Sequence, residues 1–342
     1  MAKKRTPVGQ TIGGIVAGIE QQIFRTTPPA QELVAKGTPL RPVAAAGGGT
    51  LTVGLPGDPD VPDSAAPDSA APPGQLRLAA PGVEVVVDLV SGGRIASFVV
   101  DGHELLLTDG PAPMGWGSFP MAPYAGRIRD GRFEFAGRQH QLPMLMPPHA
   151  IHGTVLDRPW RVLDDRTITT DLGPFWPFGG RAVQRFELTA GRLTSRLEVH
   201  ADEPMPASIG WHPWFRRQPR AVRLDAGSAV QQAELELDAG AMFRRDAAGI
   251  ATEDLVIPPP DGPWDDCFAD LRHPPIVRWP GFLELTIESD CPVWVVYTMP
   301  TDALCVEPQT APPDALNHSP VIVEPGRPLI AEMTWTWRSL AG

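Results

Sequence analysis

Leu193-Thr194-Ser195-Arg196-Leu197-Glu198-Val199 is the stretch that decides the fold. Leu193, Leu197 and Val199 fall on one side of an extended chain, and Thr194, Arg196 and Glu198 on the other. A period of two marks a strand with one face on a core and the other toward water. The same alternation recurs in both directions. Upstream, residues 83–90 are rich in Val, and Phe133 and Phe135 alternate with Arg132 and Glu134. Downstream, Leu283, Leu285 and Ile287 alternate with Glu284, Thr286 and Glu288. Leu329, Ala331, Met333, Trp335 and Trp337 alternate with polar residues near the end. Ala136-Gly137 and Ala190-Gly191 sit between such runs and read as hairpin tips. No run after residue 75 has the 3.6-residue period of a ten-residue helix, and the 41 prolines disfavour long ones. The pattern predicts an all-β chain, a large antiparallel sandwich of many short strands.

The N-terminal part is different. Val8, Ile12, Ile15, Ile19 and Ile23 recur at helical spacing, which predicts one amphipathic helix. Gly9, Gly13, Gly14 and Gly18 weaken it, at about 1 kcal/mol each relative to Ala. The helix reads as marginal, docked on the main domain or on a protein partner. Residues 54–74 repeat Pro-Asp-Ser-Ala-Ala in tandem and hold no aromatic residue, so they read as a linker unable to bury enough surface to offset the entropy of ordering. The expected division is therefore an extension over 1–53, a linker over 54–74 and a β-domain over 75–342.

Composition narrows the function. The 342 residues carry a net charge of −11, which argues against a nucleic-acid partner, since such binding needs basic surface to displace counterions. Cys267, Cys291 and Cys305 are odd in number and lack CxxC spacing, so neither a disulfide framework nor a structural zinc site is expected. No apolar run reaches the roughly 18 residues of a membrane span. The basic start, residues 1–5, meets only a short, Gly-interrupted apolar run, and no signal peptide is expected. Reduced thiols in a cytoplasmic protein are the simplest reading.

Four segments set a polar group among aromatic, Pro and Gly residues. They are Tyr124-Ala125-Gly126-Arg127-Ile128, His149-Ala150-Ile151-His152-Gly153, Trp211-His212-Pro213-Trp214-Phe215 and Val306-Glu307-Pro308-Gln309. Together they supply an arginine, histidines and a carboxylate. Such a set can protonate one oxygen of a sugar ring while deprotonating another. His suits the acid, with a reference pKa near 6.5, and Glu the base, being ionised at neutral pH. Aromatic rings suit the C–H faces of a sugar. The alternative for His149 and His152, a metal pair, lacks further ligands at recognisable spacing, and no metal is expected.

In order and local sequence these segments resemble the aldose 1-epimerases, or galactose mutarotases. His212-Pro213-Trp214-Phe215 is similar to the family's H-P-Y-F, and His152-Gly153 to its H-G. Arg127 with Gly131 and Phe133 is similar to N-R-I-x-x-G-x-F. Glu307-Pro308-Gln309, followed by Pro312-Pro313-Asp314-Ala315-Leu316-Asn317, is similar to E-x-Q and P-D-A-x-N. The resemblance implies a β-supersandwich with its site in an open cleft on one sheet face. It implies Glu307 as catalytic base, His212 as general acid and His152 as a further catalytic group on the ring or C1 oxygen. Arg127 and Asp265 would bind sugar, with Asp266 a one-residue alternative to Asp265. Trp214 replaces the family's Tyr, Trp211 stands where many relatives carry Asn, and Gly126 replaces an Asn. Trp211 and Trp214 are then expected as sugar contacts. The implied activity is cofactor-independent anomer interconversion of a monosaccharide, a free aldohexose. A hexose 6-phosphate epimerase and a non-catalytic carbohydrate-binding protein are the alternatives.

Overall fold

The computed structural model describes residues 74–110, 112–223 and 230–340. The expected N-terminal helix and most of the linker lie outside the described residues. The first described strand begins at Gln75.

Two large sheets make up the fold. The larger runs across in the order Gln75–Ala80, Val83–Asp88, Arg94–Val100, His103–Leu106, Gly210–Ala221, Ala303–Gln309, Val293–Tyr297, Asp265–Leu271, Ala239–Arg245 and Ala251–Val256. Ser118–Met121 joins it by pairing with Gly210–Ala221. The smaller runs Arg161–Asp164, Thr167–Asp171, Arg181–Thr189, Arg192–His200, Leu329–Ser339, Leu283–Ser289, Ile276–Trp279 and Glu234–Glu236. Every named strand pair is antiparallel, as the alternation predicts. The Ala136-Gly137 tip has both residues at positive φ, 51° and 74°, the geometry of a two-residue hairpin turn. Among the described residues, helix is limited to short turns such as Ala315–His318.

The sheets face each other through one core. Leu193, Leu197 and Val199 are buried from the smaller sheet, and Phe98, Trp211, Phe215 and Leu304 from the larger. Trp335 links them directly, its ring centroid 5.0 Å from Phe215 and 5.1 Å from Phe98. Contact of interdigitated side chains from two inner faces is what makes a sandwich of two sheets. Because side chains alternate along a strand, the residues between these core positions face outward. On Gly210–Ala221 that sends Trp211 and Phe215 inward and His212 and Trp214 outward.

The strong alternation at Leu283–Ser289 has one departure. Glu284 is 8% exposed. Arg278 and Arg338 donate to its two oxygens at 2.8 Å each, which hold its carboxyl below the usual range and satisfy the charge.

Candidate active site

The outward face of the larger sheet carries the site, and strand register explains which residues meet. Gly210 pairs with Gln309 and Trp214 with Cys305, so His212 lies opposite Glu307. On the other side His212 pairs with Phe119. Val295 pairs with Glu307, and Cys267 with Val295. One row therefore runs Phe119, His212, Glu307, Val295, Cys267 across five strands. The next row runs Trp214, Cys305, Tyr297, Asp265. Residues nearly a hundred positions apart become cross-strand neighbours, whose Cβ atoms sit about 5 Å apart.

His212 Nε2 stands 3.2 Å from Glu307 Oε1, with side chains 7% and 2% exposed. Gln309 Nε2 donates to Glu307 Oε2 at 3.3 Å. Burial pushes the Glu307 carboxyl well above the usual carboxylate range, with Asp265 adding to it, against smaller opposing effects of Gln309 and Arg127. Burial likewise lowers His212 to about 3. Both shifts favour uncharged partners. Burial therefore disfavours a charge on either partner, and the arrangement it favours is a couple sharing one proton between Oε1 and Nε2. The two groups touch, rather than facing each other across the width of a sugar ring.

The imidazole is held flat. Phe119 stacks with it at 4.9 Å and 28°, and Trp214 at 5.2 Å and 9°. His152 stands edge-on to it at 5.0 Å. Burial lowers the His152 pKa well below its ordinary value, helped by His212 and Arg127, so it too is neutral. Its backbone is left-handed, φ 59°, a strained state for a non-glycine residue that clusters at functional sites. The amide of His152 donates to Gly126 O at 3.0 Å. Gly153 follows because a Cβ there would lie 2.0 Å from the Ala122 carbonyl oxygen.

Arg127 and Asp265 form the half-exposed side of the site, 25% and 27% exposed, with Nη2 and Oδ2 3.8 Å apart. Arg245 completes this group: its Nη1 is 3.2 Å from Asp265 and its Nε 2.9 Å from Asp266. Arg127 is positioned by the Pro312-to-Asn317 segment. The Asp314 amide donates to Arg127 O at 2.7 Å, and Asp314 Oδ1 accepts from the Arg129 amide at 2.9 Å and from Asn317 at 2.7 Å. His149 plays a supporting part, its Nδ1 accepting from the Asp130 amide at 3.1 Å.

One expected contact is corrected. Trp211 is fully buried in the inter-sheet core, and its Nε1 donates to Gln184 Oε1 at 3.0 Å. Strand alternation turns it away from the face that carries His212, so it is no sugar contact. Two residues of the site escaped the sequence, Phe119 and Arg245, and neither carried a local signal; Gln309 was marked by standing two residues from Glu307 and hence on the same face.

Among the described residues, His212, Cys305 and Glu307 are the cluster with metal-ligand types, their donor atoms within 4.8 Å of one another. Burial, with Glu307 and Asp265 adding to it, raises the Cys305 thiol well above its ordinary pKa.

Comparison with known proteins identifies the family and the fold. The profile of the family described as "Aldose 1-epimerase" matches residues 75–336. The uncharacterized protein YphB of Escherichia coli (strain K12) is 31% identical over 125 residues, 34% of this chain and 43% of that protein, so the match spans less than half of the relative's length. A galactose mutarotase-like protein from Clostridium acetobutylicum superposes with a TM-score of 0.64 at 15% identity, covering 77% of this chain and 94% of that one. The GalM/aldose epimerase homologue from C. elegans gives 0.64 at 18%, covering 78% and 99%. Those structures share the fold. The profile takes in every strand of the site, from Phe119 to Glu307, and the chain belongs to the aldose 1-epimerase family.

Proposed function

We propose that the protein interconverts the α and β anomers of a free aldohexose. The observation that carries this reading is the buried His212–Glu307 couple on an outward sheet face, bordered by Arg127 and Asp265. Anomer exchange opens a hemiacetal. The C1 hydroxyl loses a proton and the ring oxygen gains one. Both oxygens are attached to C1, so two groups in contact can reach both.

In its charged tautomer the couple is Glu307 carboxylate with His212 imidazolium. Glu307 then takes the proton of the C1 hydroxyl as His212 gives one to the ring oxygen, and the C1–ring oxygen bond breaks to leave an aldehyde. The couple is left as carboxylic acid and neutral imidazole, its more stable form. Reclosure on the other face of the carbonyl runs the two transfers backward. No net proton enters or leaves, and each positioned group contributes about 10²–10⁴-fold. His152 donates to, or accepts from, the same oxygens at the edge of His212. Arg127 stabilises developing negative charge on oxygen. Asp265 accepts from sugar hydroxyls, and the half-exposed Trp214 offers an aromatic face.

Charge pairing favours a neutral sugar over a phosphorylated one. Arg127 meets Asp265, Arg245 meets Asp265 and Asp266, and Arg129 meets Asp246 and Asp314. A phosphate needs cations not already matched to carboxylates. Polarimetry of freshly dissolved α-anomers of several hexoses and of glucose 6-phosphate tests the proposal. The expected result is a first-order approach to equilibrium faster than buffer with a free hexose, lost in Glu307→Gln. Normal activity in that variant refutes the roles. Tight sugar binding without rate enhancement refutes catalysis, and preference for the phosphate ester refutes the substrate class.

A further inference from the structure

Arg94 is fully buried, and no carboxylate among the described residues lies within ion-pair distance of it. Its Nε donates to Ser91 O at 2.6 Å, Nη1 to Trp116 O at 2.9 Å and Nη2 to Leu156 O at 2.9 Å. Three carbonyls from three segments take three of its five N–H groups but do not balance its charge. Buried charge of this kind is costly, and burial lowers Arg94 itself to about 10, which leaves it protonated at neutral pH. The guanidinium lies 4.2 Å from the Trp116 ring centroid and 5.3 Å from that of Phe119. Phe119 in turn stacks on His212, and His212 on Trp214. A column of Trp116, Arg94, Phe119, His212 and Trp214 thus runs through the buried Arg94, Phe119 and His212, with a half-buried indole at each end.

We propose that Arg94 is a positioning residue for His212: through Phe119 it fixes the imidazole plane, and through its charge it sets the pH range over which the His212–Glu307 couple keeps its single proton. This inference rests on the epimerase reading of that couple. The groups facing His212 are Glu307 and Cys305 on one neighbouring strand, His152 on its loop, Arg127 beyond it, and Arg94 behind Phe119. His152 and Cys305 are neutral, and Arg127 faces Asp265. Arg94 is the cation behind the ring, and it acts to lower the His212 pKa. Asp88 and Asp157 are the carboxylates whose charge acts on Arg94 itself, and neither faces His212.

The test is the pH profile of mutarotation in Arg94→Met and Arg94→Lys. Removing a unit charge roughly 10 Å away, at an effective dielectric constant near 20, moves a titration by about 1 pH unit. Both limbs of the Arg94→Met profile are expected to shift upward by that amount, because the couple then gains its second proton and loses its only one at higher pH. Arg94→Lys keeps the charge, and its limbs are expected to stay in place even if kcat falls. Lower kcat with unmoved limbs in Arg94→Met overturns the inference, as does an equal shift in the Lys variant. If Arg94→Met does not fold, Phe119→Leu decides: it removes the ring that holds the imidazole plane, and kcat is expected to fall at least tenfold with KM little changed. Unchanged kcat there overturns the positioning role. Failure of the epimerase reading is separable, since the wild-type protein would then show no mutarotation at all.

Discussion

Asp314→Ala should cost about 3–4 kcal/mol of domain stability, far more than an exposed loop substitution. Asp314 is 1% exposed, with a left-handed backbone at φ 68°. Its Oδ1 accepts from the Arg129 amide and the Asn317 side chain at 2.9 and 2.7 Å. A hydrogen bond to a charged group contributes about 1.5–3 kcal/mol. The lower value applies to both, because Arg129 and Asn317 are partly solvated and recover water. Ala at positive φ adds about 1 kcal/mol over Asp, whose side chain tolerates that region. Asp314→Asn keeps an acceptor oxygen and the same backbone tolerance, and about 1 kcal/mol is expected. Urea unfolding of both variants measures the difference. The substitution also loosens the loop that presents Arg127, so KM for sugar should rise about tenfold with a smaller change in kcat. If Asp314→Ala costs under about 1 kcal/mol, or if Asn is as costly as Ala, this clamp is not what holds the Arg127 loop.

Three further outcomes are expected. The Glu307 carboxyl is held above its ordinary range, so its contribution to stability is complete below the unfolded value of about 4.3 and is lost as pH rises toward the folded value. Glu307→Gln should therefore gain stability relative to wild type as pH rises through neutrality; the opposite loss from His212 below about pH 6.5 is common to both proteins, and thermal melts across pH read the balance. Gly153→Ala should destabilise by more than about 3 kcal/mol, since its Cβ would meet a backbone oxygen that cannot move aside; an unchanged Tm would show that the strands part more easily than this packing implies. Trp211→Phe strands the Gln184 oxygen and should cost about 1–3 kcal/mol with KM unchanged, whereas Trp214→Leu should raise KM with little loss of stability; the reverse pattern would mean that the face assignment of this strand is wrong.

Much of the site was legible because its residues are signalled locally. His212 stands among aromatics and Pro, Glu307 in an otherwise apolar strand, and His152 before a Gly that its tight contact demands. The roles of Arg127 and of the Asp314 segment were legible only as a motif. Their connection, an amide of residue 314 bonded to the carbonyl of residue 127, spans most of the domain. Trp211 shows the opposite error. Its neighbours in sequence suggested a sugar contact, but adjacent strand residues point to opposite faces, and the face is set by which side meets the second sheet.

The amino-acid order alone determined the strand-rich class, the inward and outward sides of strands such as Leu193 to Val199, and the types of group available for proton transfer. Period-two patterning is a local property, so a linear reading recovers it. Only the tertiary structure decided that Glu307 lies beside His212, that burial disfavours charge on both, and that a buried guanidinium stands behind Phe119, which stacks with the imidazole ring. Register between distant strands and exclusion of water are collective consequences of packing, and no short segment encodes them.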